Sequence, residues 1–168
     1  EGEYYYPLYS DQECEQEPAK KGTNIVYLPC ANKAADERPF IFLVPGGGFV
    51  NVWNLTEGWP VAQLFNELGY HVFVLTYQVG VEAAAVKAMG DFARAMEIIA
   101  AHKNEFCVNP DRYITCGFSA GGYLVCLWNT QAGYSSFNLP KPQACFPIYP
   151  CTSYRLMCAE EWDDEAEK

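Results

Sequence analysis

A serine between glycines is the residue of this chain best suited to covalent chemistry. Residues 117–122 are Gly-Phe-Ser-Ala-Gly-Gly, and Ser119 stands between the apolar runs 112–116 and 123–128. The first run is typical of a strand and the second of a buried helix. A serine on a sharp strand-to-helix turn exposes its hydroxyl at the edge of a sheet, and small neighbours let the backbone turn so tightly. The pattern predicts a nucleophile for acyl transfer at Ser119. We call residues 117–122 the elbow.

A triple glycine precedes this serine in the chain. Gly46, Gly47 and Gly48 follow residues 40–44, a continuous apolar run suited to a strand that is buried on both faces. Glycines let backbone N–H groups approach a reacting oxygen, and the amide of Ala120 adds a further donor. We therefore predict an oxyanion hole. A plain flexible loop is one alternative, and a phosphate-binding loop is disfavoured because the segment lacks the required Lys-Ser/Thr.

The remaining apolar segments alternate between strand and helix patterns. This order predicts a three-layer αβα sandwich with a mostly parallel sheet, right-handed crossovers and helices on both faces. The catalytic edge of such a sheet lies beyond the carboxyl ends of its strands, where both glycine segments fall. The 168 residues are expected to form one domain. Residues 1–22 are a surface segment, residues 23–150 the core, and residues 151–168 an acidic tail or the start of a lid.

Composition excludes several classes of function. The net charge of -10 argues against a nucleic-acid partner, because phosphate binding needs clustered Lys and Arg. No apolar run approaches the roughly 20 residues of a membrane span, so no membrane association is expected. Without a Cys-x-x-Cys pair a zinc site is disfavoured, and neither metal nor cofactor is expected.

The eight cysteines favour a reducing, cytoplasmic environment over a disulfide framework. Cys116, Cys126 and Cys145 fall in apolar segments and are expected to be buried thiols. The alternative is a disulfide among the cysteines in loops and at element ends, which are Cys14, Cys30, Cys107, Cys151 and Cys158.

Five segments also carry a family resemblance, namely residues 44–49, 57–62, 69–77, 109–112 and 117–122. Together they resemble the α/β-hydrolase esterases, especially the acetyl-esterase and carbohydrate-esterase-like group, over roughly residues 25–150. The resemblance implies that Ser119 is acylated and that Gly47, Gly48 and Ala120 hold the oxyanion. It also implies small-molecule substrates with short acyl esters, often on sugars. Pro45 stands where many relatives carry His, which changes how the glycine loop is braced.

The general base is missing from the expected place. A serine hydroxyl needs a base, and in this fold an acid and a histidine follow the serine. The sequence has two histidines, His71 and His102, and both precede Ser119. His71 begins a strand, about 15 Å or more from the serine edge at roughly 3.3 Å per residue. His102 ends a crossover helix, near the start of the next strand.

Both histidines are therefore expected to be surface or helix-end residues, and the triad acid and base stay unassigned. Asp163 and Asp164 are interpreted as tail charge, because no apolar strand precedes them. The resemblance implies two further strands, so we expect the chain to be the amino-terminal part of a longer hydrolase. An uncovered sheet edge then predicts association with a second copy or a complementary fragment.

Three functions remain as hypotheses. The first is a serine carboxylic-ester hydrolase, the second a catalytically silent binding module on a hydrolase scaffold, and the third an acyltransferase that uses the same elbow. Phe49, Trp53 and Tyr77 either line a substrate pocket or pack in the core.

Overall fold

The computed structural model describes residues 4–32 and 38–152. The strands are β1 (Tyr5–Pro7), β2 (Asn24–Leu28), β3 (Phe40–Val44), β4 (Val72–Thr76), β5 (Tyr113–Phe118) and β6 (Ala144–Ile148). The α-helices are α1 (Asp11–Gln16), α2 (Trp59–Glu67), α3 (Ala84–Ala101), α4 (Lys103–Phe106) and α5 (Ala120–Trp128). Short 3-10 turns span Pro18–Lys20 and Tyr134–Phe137, and a π-helical turn spans Asn54–Gly58.

The strands form one sheet in the order β1-β2-β4-β3-β5-β6. The four strands from β4 to β6 run parallel, whereas β1 and β2 are antiparallel additions at one side. Val44 is paired with Gly117, so β3 and β5 end side by side. The loop after β3 and the turn after β5 therefore begin as neighbours.

Apolar side chains cover both faces of this sheet. On one face Phe42 packs against Phe92 of α3, whose ring stacks on Trp128 of α5 at 4.1 Å. On the other face Leu43 shares a core cluster with Ala62 of α2. Alternate residues of β3 thus serve opposite layers, as strand geometry requires. The predicted three-layer, mostly parallel fold is confirmed.

The described part of residues 1–22 is more than a surface segment. β1 extends the sheet by pairing with β2, and Leu8 is fully buried in the core. Ser10 then caps α1 in a capping box with Glu13. Leu8 is the one buried residue among the described residues 4–22, so most of the segment does lie at the surface, and β1 was missed because a three-residue strand is too short to give a clear apolar period. The acidic residues 160–168 lie outside the described residues.

Two further expectations concern the burial of cysteines and the presence of membrane-spanning helices. Cys116 is buried and Cys145 is half-buried, but Cys126 on α5 is exposed, so its predicted burial was wrong. Six of the cysteines are free thiols, namely Cys14, Cys30, Cys107, Cys116, Cys126 and Cys145. Among the residues that the structure describes, no helix has the length and apolar character needed to cross a membrane.

Candidate active site

Ser119 occupies a strained turn between β5 and α5. Its backbone has φ 50° and ψ −114°, a conformation that residues with a side chain rarely adopt. The serine amide donates to the Ile148 carbonyl at 3.1 Å, and the serine carbonyl accepts from the Tyr123 and Cys151 amides. The surrounding backbone therefore fixes the strained turn, and the side chain stays half-exposed.

The glycines around Ser119 are required by close backbone contacts. A Cβ on Gly117 would collide with the Gly121 carbonyl, and one on Gly121 with the Val44 carbonyl. A Cβ on Gly122 would lie 2.9 Å from Cα of Pro150. The elbow is thus packed between the ends of β3 and β6 with no room for side chains.

The triple-glycine loop turns beside this elbow. Gly47 has φ 135° and Gly48 has φ 63°, values that favour glycine. The Gly46 carbonyl accepts from Trp53 at 3.0 Å, and the Gly47 carbonyl accepts from Val50 at 3.1 Å. Among the described residues, the amides of Gly47 and Gly48 have no hydrogen-bond acceptor. The carbonyls of Gly46 and Gly47 are therefore hydrogen-bonded within the loop, while the N–H groups of Gly47 and Gly48 are available to a ligand.

The loop and the elbow are in direct contact. A Cβ built on Gly46 would lie 2.9 Å from Cβ of Ser119 and 2.7 Å from the Phe118 carbonyl. Ala120 is the first residue of α5, so its amide has no acceptor within that helix. Ser119, the glycine loop and the Ala120 amide thus meet at the carboxyl edge of the sheet, an arrangement suited to an anionic oxygen.

Three side chains brace the Pro45–Gly46 peptide and the end of β6, and the sequence analysis singled out only Tyr77 among them. The Gly46 amide donates to Oε2 of Glu57 at 2.7 Å, and Tyr149 Oη donates to Oε1 of Glu57 at 2.8 Å. Tyr77 Oη donates to the Pro45 carbonyl at 2.9 Å. These contacts hold the glycine loop in a chain that has Pro45 where many relatives carry His. Glu57 does lie in one of the segments that carried the family resemblance, which was the available signal.

The two tyrosines of this brace are protonated at neutral pH. Burial raises the pKa of Tyr77 above its usual range. Desolvation and the hydrogen bond to the Glu57 carboxylate raise the pKa of Tyr149 to about 12. Both phenols therefore act as hydrogen-bond donors in these contacts.

His71 lies at the opposite edge of the sheet, where the parallel strands begin. We call this side the amino edge. It precedes β4 at the level of Phe40 and Tyr113, and Ser119 lies roughly 20 Å further along the strand direction at about 3.3 Å per residue. Its Nδ1 is 2.7 Å from Tyr27 Oη and accepts from the Cys30 amide at 3.2 Å. The predicted edge is confirmed, but His71 is only 4% exposed, so its expected surface position was wrong.

His102 caps the carboxyl end of α3, and it is exposed as predicted. Its Nδ1 lies 2.9 Å from Oε2 of Glu105, and its ring lies against Tyr6 and Phe106. Phe106 also accepts a hydrogen bond from Tyr27, the neighbour of His71. Both histidines therefore belong to the amino edge, away from Ser119.

The aromatic candidates separate into two groups. Phe49 and Tyr77 are buried, and their rings pack at 6.0 Å from each other. Trp53, in contrast, is 53% exposed beside the glycine loop. Among the described residues, no group of three His, Cys, Asp or Glu side chains is arranged to hold a metal ion.

Comparison with solved structures supports the same architecture. The acetyl ester-xyloside bifunctional hydrolase from Caldicellulosiruptor lactoaceticus superposes with a TM-score of 0.71 at 22% identity, covering 96% of this chain and 65% of that chain. MGS-M1, an alpha/beta hydrolase enzyme from a Medee basin deep-sea metagenome library, gives 0.69 at 23% identity, covering 87% and 55%. The chain therefore has the α/β-hydrolase fold and spans only part of the length of these structures.

Sequence comparison adds a curated relative and a family. The acetylxylan esterase of Xylanibacter ruminicola is 27% identical over 119 residues, which cover 71% of this chain and 24% of that protein. The BD-FAE family model matches residues 25–144, from the second residue of β2 through the elbow to the first residue of β6. Since this match takes in well over half of the 168 residues, the chain belongs to the BD-FAE family.

Proposed function

We propose that this chain carries the nucleophile and the oxyanion hole of a serine carboxylic-ester hydrolase for short acyl esters, of which acetyl groups on sugars are the best candidates. The observation that carries this proposal is the strained Ser119 turn in direct contact with the Gly46–Gly48 loop. A strained serine at a strand-to-helix turn is the arrangement that exposes a nucleophilic hydroxyl.

The first chemical step joins these groups. Oγ of Ser119 attacks the carbonyl carbon of the ester and gives its proton to a base, while the carbonyl electron pair moves onto the oxygen. The amides of Gly47, Gly48 and Ala120 donate to this oxyanion, each contributing on the order of 3 kcal/mol in the transition state. The bond to the alcohol then breaks, the alcohol leaves with the proton, and water hydrolyses the acyl-serine.

The base is a group other than His71 and His102. Both histidines lie at the amino edge, where hydrogen bonds to Tyr27 and Glu105 occupy them. A base must come within hydrogen-bond reach of the serine hydroxyl, which neither ring can do across the sheet.

The substrate class is supported by the names of two similar proteins. One is an acetylxylan esterase and the other an acetyl ester-xyloside bifunctional hydrolase. The exposed Trp53 ring beside the glycine loop provides an apolar face on which a sugar ring can stack.

A catalytically silent binding module is the second candidate. The position of both histidines favours it, because a serine without a base is a weak nucleophile. This module would use the same edge to bind an ester-bearing sugar without cleaving it.

Labelling with a serine-directed alkyl phosphonate distinguishes the two candidates. In the full-length protein we expect a covalent adduct on Ser119, located by mass spectrometry, together with hydrolysis of acetyl esters. Ser119→Ala should remove the adduct and lower hydrolysis at least about 10³-fold. Ser136→Ala, a change at an exposed serine away from the elbow, is the matched control and should keep both. Absence of both signals in the unmodified protein supports the silent module, and an adduct that persists in Ser119→Ala overturns the assignment of the nucleophile.

A further inference from the structure

The Glu57 carboxylate spans the elbow from one side to the other. In the sheet, β5 lies between β3 and β6, and Ser119 follows β5. Oε2 of Glu57 accepts from Gly46, which follows β3, and Oε1 accepts from Tyr149, which follows β6. A Cβ on Gly46 would lie 2.9 Å from both Oε2 of Glu57 and Cβ of Ser119. The carboxylate is therefore beside the serine and links the segments on its two sides.

From this arrangement we propose that Glu57 is a positioning residue for the oxyanion hole. Together with Tyr77 it holds both polar atoms of the peptide between Pro45 and Gly46, since Tyr77 donates to the carbonyl and Glu57 accepts from the amide. That peptide sets the direction in which the next two amides leave the strand. The effect of Glu57 on the rate of ester hydrolysis rests on the proposed hydrolase function, whereas its effect on the conformation of the glycine loop does not.

The glycine loop needs an external brace for a physical reason. Gly47 and Gly48 have no side chains to pack and can adopt many backbone conformations, so ordering their amides costs about 1–2 kcal/mol of conformational entropy per residue. Pro45 has no donor that could hold the loop from within. A carboxylate that receives the Gly46 amide restricts these conformations before any substrate arrives.

Hydrogen bonding, not charge, carries this role. Both donors to Glu57 are neutral groups, and no salt bridge to Glu57 is formed among the described residues. A negative charge beside an oxyanion would oppose its formation. Glutamine can accept from Gly46 through its oxygen and donate to Tyr149 through its amide, so it should replace glutamate.

Steady-state kinetics on the full-length protein test the catalytic consequence. Glu57→Ala should lower kcat for an acetyl ester about 10- to 100-fold with KM within about twofold, because the oxyanion forms only in the transition state. Glu57→Gln should stay within about threefold of the unmodified protein. Glu67→Ala, which removes an exposed carboxylate from α2, is the matched control and should change neither constant. An unchanged kcat in Glu57→Ala overturns the proposal.

Amide hydrogen exchange by NMR tests the geometry without any activity. Glu57→Ala should speed exchange of the Gly46 amide at least about tenfold, the effect of losing one protecting hydrogen bond, and shift the Gly47 and Gly48 resonances. Tyr149→Phe, which removes only the outer hydrogen bond, should give a smaller change in the same direction and serves if Glu57→Ala does not fold. Unaltered exchange and resonances in both variants overturn the positioning role. The predicted exchange pattern in a protein without Ser119-dependent hydrolysis keeps the brace and rejects the proposed function.

Discussion

The two edges of the sheet are stabilised by different interactions. At the amino edge Tyr27, Phe73 and Phe106 pack their rings with centroids 4.7 to 5.0 Å apart, and Phe40 lies 5.1 Å from Phe73. At the carboxyl edge the backbone of Ser119 combines φ 50° with ψ −114°, which lies outside the left-handed helical region that Cys107 adopts at the amino edge. The first edge gains stability from apolar burial, while the second is held in a strained form by polar contacts.

This difference between the edges separates stability from chemistry within one sheet. Residues in strained conformations cost of order 1–3 kcal/mol each and persist only where the surroundings fix them. The aromatic packing at the amino edge offsets such costs without approaching the serine. His71, a residue suited to catalysis, is taken up by this packing, since its ring stacks on Tyr27 at 5.7 Å.

The largest effect is expected from removing an aromatic ring at the amino edge. Phe73 is fully buried and contacts the rings of Tyr27, Phe40 and Phe106. Phe73→Ala should lower the free energy of unfolding by about 3–5 kcal/mol, as measured by urea denaturation. The exposed Leu64→Ala should change it by less than about 0.5 kcal/mol. Strong loss of phosphonate labelling in the folded fraction of Phe73→Ala would contradict the separation of the two edges.

The next effect tests the close backbone contact beneath the elbow. A Cβ on Gly121 would collide with the Val44 and Pro45 carbonyls, so Gly121→Ala should destabilise the fold by about 1–3 kcal/mol and reduce labelling of Ser119. A Cβ on Gly90 in α3 would have nothing within 4 Å. Gly90→Ala should therefore stabilise the protein by up to about 1 kcal/mol. If the two variants have equal unfolding free energies, the carboxyl edge is less tightly packed than the structure indicates.

A pH effect is expected from the carboxyl group buried under the carboxyl edge. Burial raises the pKa of Asp91, although hydrogen bonds from the Gln78 amide, Tyr9 and the Gln78 side chain oppose this shift. The native state then binds more protons than the unfolded state between the two pKa values. Asp91 thus gives stability that is fully present below its unfolded pKa and is lost as pH rises through its folded pKa.

Asp91→Asn isolates this contribution because it cannot titrate. The unfolding free energy of the unmodified protein, minus that of Asp91→Asn, should decrease as pH rises above the ordinary pKa of an aspartate. Urea denaturation at several pH values measures this difference. A difference that stays constant, or that grows with pH, would contradict the raised pKa.

The smallest effect concerns the strain at Ser119 itself. At φ 50° glycine is tolerated better than alanine, so Ser119→Gly should be more stable than Ser119→Ala by about 1 kcal/mol. Both variants lose the nucleophile, and thermal unfolding compares them directly. Equal or greater stability of the alanine variant would show that the turn is not strained.

Local patterns predicted the elements of the core and the segments that meet at the carboxyl edge. Apolar runs identified β3 and β5, and glycine positions indicated the turns after them. Other features had no local signal. Glu57 contacts Gly46 from within a π-helical turn. The burial of His71 depends on Tyr27, a residue far away in the chain. β1 is too short to show a period, and Cys126 lies in an apolar helix but faces solvent.

The sequence by itself determined the order of the core strands and helices, the αβα layers and the place of Ser119 on its turn. These follow from periodicity and from the backbone freedom of glycine, which are properties of neighbouring residues. Only the tertiary structure decided which side chains brace the oxyanion loop and that His71 is buried. Those outcomes depend on contacts between residues far apart in the chain, such as Glu57 with Tyr149 and Tyr27 with His71, and local patterns do not encode such contacts.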